Sequence, residues 1–161
     1  MKILRSVILG IILLYFQILI APKFSMFGII PNFLLAYIIY TTIKIGLRST
    51  LTIAFFLGLA FDLMTPYLLG LNTLSFITIS LIVGNFHENV NKRRFAVVSI
   101  SIIFINIIFY LIQVSYFLFT RQVESGLFRL LMFAIIYNSF FTIITNYILI
   151  IISKLKLVID V

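Results

Sequence analysis

Apolar residues run almost unbroken in six stretches, and the short gaps between them and the chain ends hold most of the charges. The stretches are roughly 3–21, 27–43, 51–63, 67–86, 95–119 and 127–153. A helix needs ~20 mostly apolar residues to cross the ~30 Å hydrocarbon core of a bilayer. Runs of this length are too apolar to cover a globule in water. Here 63% of residues are hydrophobic and 10% charged, against about 45–50% and about 25% in soluble domains. Lipid offers no partner to an unpaired backbone group, so the runs must be helical. The sequence therefore predicts an all-α integral membrane protein, a bundle of about six transmembrane helices forming one domain over 1–161.

Local signals set the boundaries. Pro22-Lys23 closes the first run, and Lys44 and Arg48 close the second. The third is short and ends at Asp62 and Thr65-Pro66. Pro66 and Gly70 are the strong turn signals before the fourth, so a tight hairpin is expected there, with a re-entrant pair as the alternative. Lys2, Arg5 and the apolar core after them resemble a signal peptide. Ala21-Pro22-Lys23 is not a small-x-small cleavage site, however, and the run is long. It is read as a retained first span.

Lys2, Arg5, Lys44, Arg48, Lys92, Arg93, Arg94, Lys154 and Lys156 fall on one side of a six-span layout. Lys23, Arg121 and Arg129 fall on the other. The positive-inside rule puts the first group, and with it both chain ends, in the cytoplasm. The net charge of +8 is thus accounted for by topology and contact with anionic headgroups, and nucleic acid is not an expected partner. The chain has no cysteine, which removes disulfides, thiolate nucleophiles and Cys-based metal sites. It has no tryptophan either, so its 18 Phe and 8 Tyr must supply any aromatic belt.

Polar residues at membrane depth are costly and usually face the bundle interior. Asp62 is the only acid inside an apolar stretch, and Gly58 lies one turn before it on the same helix face. Gly58 allows another backbone to approach closely and bury the acid. Two readings of Asp62 stand: a site for a partner, proton or substrate, or a helix-end cap bonded to backbone amides around 68–71. Pro31-Asn32 opens the main part of the second span, Pro31 where a missing amide is tolerated and Asn32 as a cap or a cross-helix contact. Asn106, Tyr110 and Gln113 share one face of the fifth span. Asn138, Thr142, Thr145 and Asn146 share one face of the sixth. These stripes are expected to bond to each other or to line a cavity.

Catalytic inventories come up short. His87 is the only histidine, which leaves no zinc-protease pair. Glu88, Glu124 and Asp160 lie outside the spans, so Asp62 has no second carboxylate at depth. There is no G-x-S-x-G elbow and no phosphate-binding glycine loop. No cofactor is expected, and no enzymatic activity.

The central residues carry a family resemblance. Pro31-Asn32-Phe33-Leu34-Leu35, then Gly58-Leu59-Ala60-Phe61-Asp62-Leu63, Pro66 and Leu69-Gly70-Leu71-Asn72 resemble the rod shape-determining protein MreD family of bacteria. Its members carry Pro-Asp or Pro-Asn at the start of a span, then G-x3-D and Pro-x-x-x-Gly in the next hairpin. Pro31, Asn32, Gly58, Asp62, Pro66 and Gly70 match that pattern, with Asn72 just beyond, and Asn32 stands where many members have Asp. The resemblance implies a multi-pass protein of the bacterial cytoplasmic membrane. It implies a non-enzymatic part in the wall-elongation machinery that maintains rod shape, acting with MreC, the actin-like MreB and the wall-synthesis enzymes. A groove around Gly58–Asp62, with the polar faces of the later spans, is then expected to hold MreC's membrane anchor. The family's fold is similar to that of the substrate-binding subunits of energy-coupling-factor transporters, which supplies the alternative of a small-molecule-binding subunit. Those subunits typically carry Ala-x-x-x-Ala in the first span. This chain has Gly10 and no such pair there, which counts against transport.

Overall fold

The computed structural model describes residues 2–65, 69–86, 95–119 and 127–159. Pro66 and the connections 87–94 and 120–126, with their basic and acidic residues, lie outside the described residues. The described residues form six α-helices in order: α1 (Lys2–Leu19), α2 (Phe33–Ile45), α3 (Leu47–Met64), α4 (Leu71–Phe86), α5 (Phe95–Phe119) and α6 (Leu127–Ile159). A single 3-10 turn, Ala21–Phe24, follows α1. No strand occurs among the described residues, only an isolated bridge between Met26 and Ile29.

Three helices contain segments long and apolar enough to cross a membrane: Leu47–Met64, Val98–Tyr116 and Arg129–Ser153. The apolar segments of the other three, Ile3–Leu19, Phe33–Ile45 and Leu71–Asn85, are shorter. Two helix starts differ from the sequence expectation. α2 begins at Phe33 rather than near 27, because Phe27 and Gly28 take left-handed φ values of 52° and 79° that break helix geometry. α3 begins at Leu47 rather than near 51, so it is an 18-residue helix and not a short one. Arg48, Ser49 and Thr50 are polar but stay helical; Thr50 donates its amide and its hydroxyl to the Gly46 carbonyl, at 3.2 and 3.0 Å.

The core forms around α2. Leu34, Leu35, Ala36, Tyr37 and Ile38 are wholly buried, and α2 packs against α1, α3, α4 and α6. The Tyr37 hydroxyl donates to the Ser6 carbonyl and ties α2 to the start of α1. The closest helix pairing is α3 with α4. The outward faces are apolar as well: Leu4, Ile12, Leu19, Phe104, Ile136 and Phe140 are all exposed. Extended apolar exposure of this kind suits a lipid-facing wall.

Helix length bears on where polar groups must go. At 1.5 Å per residue, the 13 residues of α2 span only ~20 Å and the 16 of α4 ~24 Å. Both fall short of a ~30 Å core. Each N-terminus has backbone amides with no partner inside the helix, and each lies in a buried setting where water cannot serve them.

Candidate functional site

The first cluster lies where α3 meets α4. Gly70, at a φ of 85°, is the residue that caps α4: its carbonyl accepts the Leu74 amide at 2.9 Å. A glycine has no side chain to bond the next free amides, the usual task of a capping residue. Asp62 on α3 does so from outside the helix. Its Oδ1 accepts the Asn72 amide at 3.0 Å and the Asn72 side-chain amide at 2.9 Å. Its Oδ2 accepts the Thr73 amide at 2.9 Å and the Thr73 hydroxyl at 2.6 Å. Asp62 is fully buried, and these four donors surround it together with the positive end of the helix dipole.

The close approach depends on Gly58. A Cβ built there would lie 2.5 Å from the Thr73 Cα and 3.0 Å from its amide nitrogen. The backbones of α3 and α4 thus touch one turn below the acid. The groove expected around Gly58–Asp62 is filled by α4. The amides that bond Asp62 are those of Asn72 and Thr73, just beyond the expected 68–71, because the helix begins at Leu71.

The second cluster holds the start of α2. Asn32 caps it with its own side chain, Oδ1 accepting the Leu35 amide at 2.9 Å. Asn138 of α6 accepts the Asn32 amide at 2.7 Å. Gln17 of α1 bonds twice: Oε1 accepts the Phe33 amide at 2.8 Å, and Nε2 donates to the Pro31 carbonyl at 3.0 Å. Asn138 Nδ2 in turn donates to the Tyr110 hydroxyl of α5. Four helices are joined through one helix start. Aromatic rings flank it, Phe33 meeting Phe16 edge-on at 5.0 Å and Phe141 at 5.7 Å.

The polar stripes of α5 and α6 meet at one point, the Tyr110–Asn138 pair. Beyond it they bond within their own helices: Asn106 Nδ2 to the Ile102 carbonyl and Asn146 Nδ2 to the Thr142 carbonyl, both at 3.0 Å. Asn106 Oδ1 and the hydroxyls of Thr142 and Ser139 are buried without a partner. Gln113 is half-buried on the same helix. Sequence reasoning gave Gln17 no role and missed Thr73. The signal for Gln17 was its place as the one strongly polar residue of the first apolar run beyond its basic start. The signal for Thr73 was a glycine cap that leaves the next amides to another side chain.

Chemically, both clusters hold helix starts. Asp62 has its two oxygens filled by donors of its own chain, and no group of three or more His, Cys, Asp or Glu that could hold a metal occurs among the described residues. Such a molecule is a helical membrane protein whose polar interior is taken up largely by its own architecture. A family model, rod shape-determining protein MreD, matches residues 1–157, and the chain belongs to that family. It is thus a shape-determining membrane component, of a family not known for enzymes. No curated protein and no solved structure matches the chain.

Proposed function

We propose that this protein is a non-enzymatic scaffold of the wall-elongation machinery in the bacterial cytoplasmic membrane. It crosses the bilayer six times with both ends in the cytoplasm, and it maintains rod shape together with MreC-like and MreB-like proteins and the wall-synthesis enzymes. The observation that carries this reading is the family match over nearly the whole chain. The use of the family-motif residues supports it: Asn32, Gly58, Asp62 and Gly70 serve helix starts and a backbone contact. An interior fixed in this way suits a rigid platform whose outer walls meet partners. The alternative, a small-molecule subunit of an energy-coupling-factor transporter, is not favoured by the family match.

Depletion in a rod-shaped bacterium tests the proposal. Cells should become round and wall synthesis should disperse, and an MreC-like protein should co-purify with the tagged chain. Unchanged shape with no co-purifying partner would refute the scaffold role.

A further inference from the structure

A groove of about 420 Å³ runs between α1 and α3, within the usual ~300–1,000 Å³ of small-ligand clefts. Ile3, Val7, Ile11 and Leu14 of α1 form one wall, and residues of α3 from Arg48 to Ala60 form the other. Its polarity is graded. Arg48, Ser49 and Thr52 line the first end, and every lining residue beyond them is apolar. No acid lines it. The polar end also coincides with the start of α3, where Gly46 provides no side-chain cap for the free amides.

From Arg48 to Ala60 the groove spans ~18 Å at 1.5 Å per residue. One leaflet contributes about half of a ~30 Å core. The groove is therefore one leaflet long, too short to seat a spanning helix. It is cationic and hydroxyl-rich at one end and apolar beyond.

We infer that the α1–α3 groove is a binding site for an anionic phospholipid, with its phosphate on Arg48 and the hydroxyls of Ser49 and Thr52 and an acyl chain along the apolar floor. Such a site requires the bilayer placement but none of the shape-determining partners. One arginine beside an anionic headgroup corresponds to a preference of about fivefold over a zwitterionic lipid.

The absence of tryptophan allows a direct test. Phe56 lines the groove and is 63% exposed, so Phe56→Trp places a single fluorophore on its wall. Ile12→Trp, on a neighbouring exposed face of α1, serves as the control. The full chain is reconstituted in phosphatidylcholine vesicles containing brominated phosphatidylglycerol or brominated phosphatidylcholine at equal mole fraction. Phosphatidylglycerol should quench Phe56→Trp with about fivefold higher apparent affinity, and adding Arg48→Gln should abolish that preference. Ile12→Trp should show a ratio that Arg48→Gln leaves unchanged. Inorganic phosphate at constant ionic strength should not release the lipid. Equal quenching by the two lipids at Phe56→Trp, a preference that survives Arg48→Gln, or release by phosphate alone would each overturn the site. Native mass spectrometry gives a second readout without tryptophan: the unaltered chain should retain one phosphatidylglycerol that Arg48→Gln loses, and equal retention would overturn it.

Discussion

Asp62 and Thr73 meet twice on one carboxylate oxygen, through the Thr73 amide at 2.9 Å and its hydroxyl at 2.6 Å. The acid of one helix thereby replaces the missing capping side chain of the next. The same device, a side chain from another helix bonded to free first-turn amides, recurs at the start of α2 with Gln17. Both serve helix starts that are buried inside the protein, and the buried polar residues beside them follow from that burial.

Removal of the acid should therefore act through stability. Asp62→Ala leaves the buried amides of Asn72 and Thr73 without an acceptor, at ~1–3 kcal/mol for each unsatisfied group. We expect a loss of about 3 kcal/mol. Asp62→Asn keeps one acceptor oxygen and turns a donor toward the other pair of donors, so its loss should be smaller, about 1–2 kcal/mol. Thermal unfolding in detergent checks the order of the two.

Gly58 and Gly84 separate backbone contact from side-chain contact. A Cβ at Gly58 meets the Thr73 Cα at 2.5 Å, and neither helix can yield without breaking the cap. A Cβ at Gly84 meets the Leu47 side chain, at 2.8 Å for its nearest methyl. The Leu47 methyls can rotate away, and its Cβ, at 3.0 Å, needs a shift of only a few tenths of an ångström. Gly58→Ala should cost ~1–3 kcal/mol, the usual range for overpacking, and Gly84→Ala clearly less, as unfolding midpoints will show.

The start of α2 predicts a ranking. Tyr110→Phe removes one bond to Asn138 and leaves the Asn32 amide served, a loss of ~1 kcal/mol. Asn138→Ala frees the Asn32 amide as well and should cost ~2 kcal/mol. Gln17→Ala uncovers the Phe33 amide and the Pro31 carbonyl together and should cost at least as much. The double variant Gln17→Ala/Asn138→Ala should be non-additive, since both hold one helix start. Unfolding of the four variants in the same detergent checks ranking and coupling.

Hydropathy made the helical character legible, because apolar runs in lipid leave the backbone few options. The helix starts were less so. Apolar content extends through Met26–Ile30, but the backbone turns there at Phe27 and Gly28, and hydropathy carries no φ. Arg48 reads as a loop residue although its backbone is helical, since a long cationic side chain can reach the surface from a first turn. At the clusters, residue types pointed to Asn32, Gly58 and Asp62, while the donors Thr73 and the double role of Gln17 depend on which helices become neighbours. The α5 and α6 stripes show the limit most clearly. Spacing places Asn106, Tyr110, Asn138, Thr142 and Asn146 on inward faces, but only Tyr110 and Asn138 bond across, since a helix carbonyl one turn back competes for each side-chain amide.

Asp62 is proposed to act as a cap and not as a reactive group. The most direct test measures cell aspect ratio and the amount of folded protein in the membrane together, in a depletion strain carrying Asp62→Ala over a range of temperatures. Rod shape should follow the amount of folded protein, with rods restored at low temperature where the variant folds. Round cells holding wild-type amounts of folded Asp62→Ala protein would contradict it.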